Sequence, residues 1–285
     1  MLSNTGKDSI IYRLISGLVY SNVFIALQAL SIAFVSMTLS GLTLKPEPLF
    51  ISFASFFIVY TFDRYLDRDE DAENMPVRTK FLRKYGEYLF AASIAGYIAA
   101  LIIAFNNGFI TFLLTLSPII VGVLYSVARI KKILLVKNIV VGLTWGSIPL
   151  LVGAYYGSPI LPEILFLAAF FGIGLFRNTI VFDIKDIKGD LKEGVRTIPN
   201  TYGKRRSRQL ALCINAFLTV LLLFSIASNI LEVEYLILIF YNIYIFLYCH
   251  IVSVDHEELF YSLIVDGACS FLGLSITITS LLGII

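Results

Sequence analysis

Read as apolar and polar positions, the chain is a succession of long apolar runs parted by short polar breaks. Runs long enough for the roughly 30 Å hydrocarbon core of a bilayer fall near residues 15–39, 48–66, 87–105, 109–127, 137–157, 161–182, 209–229, 234–253 and 261–284. These predict nine transmembrane helices. Because a spanning segment must satisfy its backbone internally, the fold class expected is all-α: a polytopic membrane bundle, read as a single transmembrane domain over residues 1–285. The breaks are marked by Pro46 and Pro48, by Asn106-Asn107-Gly108, by Gly157-Ser158-Pro159 and by Asp255-His256-Glu257-Glu258. Residues 1–13 are polar, contain Lys7 and Arg13, and read as a short cytoplasmic tail without a signal-peptide pattern.

Composition agrees with this pattern: of 285 residues, 58% are hydrophobic and 15% charged, far from an average soluble domain. A net charge of +2 gives no basic field for nucleic acid, so the placement of Lys and Arg is more informative than their sum. With the N-terminus inside, the loops after the second, fourth and sixth spans hold Arg64 to Lys84, Arg129 to Lys137 and Lys185 to Arg208, against Lys45 alone on the other side. This predicts a multi-pass cell-membrane protein whose chemistry faces the cytoplasm. Cys213, Cys249 and Cys269 form no C-x-x-C pair and read as small core residues. His250 and His256 are too few for a metal cage or a histidine triad.

Two apolar runs end in carboxylates. The sixth runs into Asp183, Asp186 and Asp190, which a continuous helix places within roughly 60° of one another around its axis. The second ends in Asp63, Asp67 and Asp71, at i, i+4 and i+8, again on one face. Like charges so stacked repel. A hard divalent cation relieves that, because Mg²⁺ takes oxygen ligands and is commonly shared between carboxylates, waters and phosphates. One acidic run at a membrane edge is equally a solvated helix end; two matched runs argue for a common ligand, a diphosphate held through Mg²⁺. All six aspartates are therefore candidate metal ligands, with Asp67, Asp71, Asp183, Asp186 and Asp190 as the catalytic set. Arg68, Arg78, Lys80, Lys185, Lys188, Arg196 and Lys204 are candidate diphosphate contacts, although such residues also belong on any cytoplasmic membrane face. Each cluster is followed by a Val-Arg-Thr triplet, Val77-Arg78-Thr79 and Val195-Arg196-Thr197, a weak sign of repeated halves.

An allylic diphosphate leaves when its charge is held, and the carbocation left behind must be kept from water. Aromatic faces such as Phe56, Phe57, Tyr60, Phe176 and Phe182 can stabilise a desolvated cation by about 2 kcal/mol. Ionisable groups at membrane depth default to functional readings, which puts Arg177 among the substrate contacts. Asp266 reads either as functional or as the partner of Arg177 in a pair that only holds the bundle together.

Together these features resemble the UbiA superfamily of intramembrane prenyltransferases, with nine transmembrane helices, a motif N-D-x-x-D-x-x-x-D after helix two and D-x-x-D-x-x-x-D after helix six. The second motif is complete in Asp183, Asp186 and Asp190, followed by Gly194-Val195-Arg196-Thr197-Ile198-Pro199 and Tyr202-Gly203-Lys204. In the first, Asp67 and Asp71 match, while Asp63 stands for Asn and Arg64 for Asp. Leu124-Tyr125-Ser126, Arg129, Lys131-Lys132 and Asn138 match a region associated with the diphosphate in the family, which implies Tyr125, Arg129 and Lys131 as contacts; Asn22 falls near a pocket-lining asparagine. The resemblance implies a central cavity open to the cytoplasmic side and Mg²⁺-dependent transfer of a prenyl group from a prenyl diphosphate donor to a hydrophobic or aromatic acceptor, a quinone precursor or lipid, within the bilayer. Terpene cyclisation and phosphoribosyl transfer to a polyprenyl phosphate are alternatives within that superfamily. A cation transporter is a third, opposed by acidic clusters at helix ends and by the lack of evident broken helices.

Overall fold

The computed structural model describes residues 10–66, 75–127, 133–192, 194–252 and 258–283, with backbone alone at 125–127, 188 and 258. All regular structure among them is helical: α1 (Ile10–Tyr20), α2 (Val23–Leu39), α3 (Pro46–Leu66), α4 (Pro76–Asn107), α5 (Phe109–Val127), α6 (Val136–Tyr155), α7 (Pro162–Lys192), α8 (Ile198–Tyr202), α9 (Lys204–Ala227), α10 (Leu238–Ile251), α11 (Glu258–Ile264) and α12 (Ala268–Leu281). A 3₁₀ turn, Val233–Ile237, leads into α10.

Seven of these segments are long and apolar enough to cross a membrane, and the pair α1 and α2 makes an eighth when taken as one span. The apolar part of α5, Phe109–Leu124, is shorter. The chain is an integral membrane protein. The run expected to be one helix over 15–39 is broken, because Asn22 adopts a left-handed backbone (φ 66°) and α1 bends 71° away from α2. A broken helix, not evident in the sequence, is thus present. Asparagine tolerates that conformation at small cost. A second interruption, at Val265–Gly267, parts α11 from α12 within the span Leu259–Leu281.

Two helices outrun the bilayer. At 1.5 Å per residue, α4 with 32 residues and α7 with 31 reach about 45 Å or more, well beyond the hydrocarbon core. Their polar ends carry Arg78 and the Asp183 to Asp190 face.

The spans pack in a ring: α2 lies against α3, then α5, α6, α7, α9, α10 and α12 follow in contact order, and α12 returns to α2, with α4 outside against α3 and α5. The tightest contact joins α6 to α7, where glycines remove the side chains between backbones. A Cβ at Gly142 would lie 2.7 Å from the Gly172 carbonyl oxygen, and one at Gly146 2.8 Å from that of Ala168. Small residues at helix crossings allow such approach in membranes. Inside the ring lie Trp145, Phe56, Phe170, Phe171, Tyr241 and Tyr248, all buried. Outside it, Leu143, Val220, Phe224 and Leu281 are exposed, as expected where lipid replaces water. Polar groups bridge the spans too: the Gln28 side-chain oxygen accepts from the Ser270 backbone at 2.8 Å, tying α2 to α12, and Tyr97 donates to the Thr115 carbonyl at 3.1 Å.

Candidate functional site

The acidic face of α7 exists because the helix does not stop at the membrane edge. Its intrahelical bonds continue to Lys192, so Asp183, Asp186 and Asp190 stay in one register. Their environments differ sharply. Asp183 is 1% exposed and its oxygens are taken: Lys137 donates to Oδ1 at 2.6 Å and Asn138 to Oδ2 at 3.2 Å. Asn138 also donates to Thr179 Oγ1 at 2.6 Å. Asp186 is 36% exposed at its side chain, with Lys185 at 3.6 Å. Asp190 is half-buried, and among the described residues its Oδ2 is buried without a hydrogen-bond partner. Burial pushes its carboxyl up to about 7; Asp183 and Asp186 add to the effect, and Lys137 opposes it.

Across the ring, α3 ends with Asp63 and Arg64, both partly buried. The Arg64 guanidinium donates to the Asn22 side-chain oxygen and lies 5.6 Å from the centre of the Tyr60 ring. Asn22 in turn donates to Thr61 at 3.4 Å. Thus the residue that breaks α1 from α2 also holds a cation at the end of α3. The Tyr60 hydroxyl accepts from Trp145 Nε1 at 3.1 Å. Below Asp63 is a cavity of about 110 Å³ between α3, α5 and α6, lined by Phe56, Val59, Tyr60, Val121, Val140 and Trp145 among others. Its walls are apolar and aromatic, and its one carboxylate is Asp63.

A model of the UbiA prenyltransferase family matches residues 29–259. The chain belongs to that family. Its digeranylgeranylglyceryl phosphate synthase from Methanosphaera stadtmanae is 27% identical over 241 residues, 80% of this chain and 84% of that protein. The same-named protein of Methanococcus aeolicus is 34% identical over 155 residues, about half of each chain at 52% and 53%. Among solved structures, a UbiA homologue from Archaeoglobus fulgidus bound to GPP and Mg²⁺ superposes with a TM-score of 0.69 at 16% identity, covering 92% of this chain and 99% of that one. The apo UbiA homologue of Aeropyrum pernix K1 gives 0.67 at 17%, covering 93% and 98%. At such identity these structures establish the fold alone.

UbiA family membership makes this an enzyme of the prenyltransferase class, and its described residues bear on the expected site unevenly. Asp67, Arg68, Asp71, Arg129 and Lys131 lie outside the described residues. Tyr125 and Lys188 fall in α5 and α7, with side chains outside the description. Lys185 lies beside Asp186 and over the rings of Phe182 and Tyr261, at 5.9 and 5.7 Å. Arg78 is buried in the first turn of α4, whereas Arg196 and Lys204 are exposed near α8 and at the start of α9.

Two of the expected site residues have partners that the sequence did not indicate. Arg177 is wholly buried: it donates to Asn215 at 2.6 Å and to Asn178 at 3.3 Å and lies 5.6 Å from the Tyr241 ring centre. Tyr248 donates to the same Asn178 oxygen at 2.6 Å. Arg177 therefore bolts α7 to α9 and α10 from within instead of reaching the acidic face, and it does not pair with Asp266. The cations whose charge reaches Asp266 are Arg64, Arg78 and Lys185. Asp183, a candidate metal ligand, accepts from Lys137 and Asn138. Lys137 entered the sequence reading only as a charge on the cytoplasmic side; a lysine opening an apolar span, directly before an asparagine, was the available signal.

Among the described residues no three acidic, histidine or cysteine side chains converge on one point. The donor set still suits magnesium. Its oxygens are hard, and the orphaned, buried Asp190 Oδ2 beside Asp186 is the kind of atom a divalent cation would satisfy.

Proposed function

We propose that this protein transfers a prenyl group of the geranylgeranyl class from its diphosphate to the hydroxyl of a glycerophosphate lipid, in a Mg²⁺-dependent reaction at the cytoplasmic side of a nine-crossing bundle, α5 being one crossing. The observation that carries this reading is the α7 carboxylate face. It runs on past the apolar part of the span, and among the described residues one of its oxygens is buried without a hydrogen-bond partner. The acceptor class is supported by relatives whose name, digeranylgeranylglyceryl phosphate synthase, describes a glyceryl phosphate bearing two geranylgeranyl groups.

In this reading Asp186 and Asp190 from α7, with Asp63, Asp67 and Asp71 from the first cluster, hold the metal, while Asp183 keeps Lys137 fixed beside them. When bound, Mg²⁺ supplies charge neutralisation to the departing diphosphate. Lys137, Lys185 and Arg78 add fixed positive charge on the same side, a preorganised field that is stronger where water is excluded. Phe56, Tyr60 and Trp145 line the apolar cavity below Asp63 and keep water from the allylic carbons.

The test is direct. Purified protein given geranylgeranyl diphosphate, geranylgeranylglyceryl phosphate and Mg²⁺ is expected to release diphosphate and form the ether, and chelation of Mg²⁺ is expected to stop both. Asp67→Ala and Asp186→Ala should each lower turnover by about 100-fold or more while leaving a folded, extractable protein. Undiminished turnover in either variant removes that residue from the site. A cyclised product, or transfer only to an aromatic acceptor, removes the lipid acceptor.

A further inference from the structure

On the α7 face the aspartates form two neighbouring pairs, Asp183 with Asp186 at i, i+3 and Asp186 with Asp190 at i, i+4, and such pairs stand about 5–6 Å apart at their Cβ atoms. Each pair has room for one small cation between its carboxylates. The two positions are not equally open. At the Asp183 end both carboxylate oxygens already accept, Oδ1 from Lys137 Nζ at 2.6 Å and Oδ2 from Asn138 Nδ2 at 3.2 Å, and the side chain is 1% exposed. At the other end Asp190 Oδ2 has no hydrogen-bond partner among the described residues, and the Asp186 side chain is 36% exposed, with Lys185 Nζ 3.6 Å from its Oδ1.

Lys137 is held in that place by the backbone. It stands in the first turn of α6, and α6 is set against α7 by the close approach of Gly142 to Gly172 and of Gly146 to Ala168. Asn138 beside it is buried and also donates to Thr179 at 2.6 Å, one turn before Asp183 on α7. The Lys137 side chain is 23% exposed where that of Asp183 is 1%, so the pair presents its positive charge to the open side. Neutralising Asp183 is by itself a weak reason for such a pair, since apolar residues of similar volume commonly stabilise a buried site as well. Asp183 is also ill suited to Mg²⁺ as it stands, because that ion dehydrates reluctantly and keeps several waters, and neither oxygen is left for it.

We propose that Lys137 is a built-in cation filling the first of the two positions, so that α7 binds divalent metal through Asp186 and Asp190 alone and Asp183 is the positioning residue that holds the lysine. This rests on the Mg²⁺-dependent reading given above. The ammonium then supplies to the diphosphate the positive charge that a further metal ion would otherwise bring, as a donor fixed before the substrate arrives.

Wild type, Lys137→Met, Lys137→Arg, Asp183→Asn and the double variant Lys137→Met with Asp183→Asn, each purified whole, are titrated with Mn²⁺ as a paramagnetic stand-in for Mg²⁺, and bound ions are counted from the loss of the free-ion spectrum. Lys137→Met, which releases Asp183, is expected to bind one ion per chain more than wild type, and the double variant to return to the wild-type count. Lys137→Arg and Asp183→Asn are expected to keep that count. Mg²⁺ is expected to raise the unfolding temperature of Lys137→Met more than that of wild type or of the double variant, as any ligand of the folded state alone does. An unchanged count in Lys137→Met, or an ion lost in Asp183→Asn, would overturn the assignment. Should Lys137→Met fail to fold, the isosteric Asp183→Asn decides: a kept count with the donor KM raised about tenfold supports the lysine as the held cation, and an unaltered KM refutes it. If wild type turns over geranylgeranyl diphosphate without Mg²⁺ and no form binds Mn²⁺, the metal-dependent reading fails and takes this inference with it. If wild type needs Mg²⁺ and Lys137→Met gains no ion, this inference alone fails.

Discussion

A buried carboxylate must be paired or lose its charge, and Asp183 shows how this chain meets that demand at the mouth of its site. Lys137 is 46 residues away in sequence and 2.6 Å away in space. Lys137→Met leaves Asp183 as an uncompensated buried charge and is expected to cost about 3 kcal/mol of stability. Thermal unfolding in detergent checks this, and adding Asp183→Asn to Lys137→Met should restore most of the loss. Arg177 poses the opposite problem, a buried cation met by amide oxygens and an aromatic ring. Arg177→Met leaves the Asn215 oxygen without its donor, while Asn178 keeps Tyr248, and should destabilise by about 1–3 kcal/mol without changing the donor KM, which kinetics on the folded fraction would show. Three carboxylates of the second cluster were legible in the sequence, since i, i+3, i+7 is a local property of one helix. The partners of Asp183 were not, because Lys137 and Asn138 are contributed by α6, nor was Asn215, which meets Arg177 from α9.

At the scale of elements, the site depends on how α6 and α7 are held. The first of these presents Lys137 and Asn138, the second the acidic face, and Gly142, Gly146 and Gly172 let their backbones touch. Gly142→Ala and Gly146→Ala push a Cβ into a backbone oxygen that cannot move away freely, so each should cost about 1–3 kcal/mol. Each should also weaken the Lys137 to Asp183 contact, so turnover is expected to fall with stability, as paired unfolding and rate measurements would record. Span positions were legible from hydropathy for the most part: seven of the nine expected runs are covered by helices long and apolar enough to cross a membrane, while 15–39 is a bent pair and 109–127 falls on a shorter apolar helix. The break at Asn22 was not, since a polar residue near the end of an apolar run does not reveal a left-handed backbone. The extra turns of α4 and α7 also escaped hydropathy, because their polar ends carry no apolar signal.

For the whole molecule, the prediction concerns sidedness. Lys80 and Arg196 are exposed near the starts of α4 and α8, and Lys45 is exposed near the start of α3, over the rings of Tyr155 and Tyr156. In a background lacking Cys213, Cys249 and Cys269, Lys80→Cys and Arg196→Cys are expected to react with an impermeant maleimide in inside-out vesicles, and Lys45→Cys in right-side-out ones. Equal labelling of Lys80→Cys and Lys45→Cys from one side would reverse the proposed topology. The inference follows from the distribution of Lys and Arg, which orients short loops.

What the sequence by itself determined was whatever is periodic or cumulative along the chain: apolar runs long enough to span lipid, the bias of Lys and Arg, and aspartates in helical register. Such features arise within one segment, where spacing is geometry. Only the tertiary structure decided that Asp183 meets Lys137 and Asn138 from α6 and that Arg177 meets Asn215 from α9. Those outcomes depend on which helices become neighbours when the ring closes, and burial then sets the cost of every charge left without a partner.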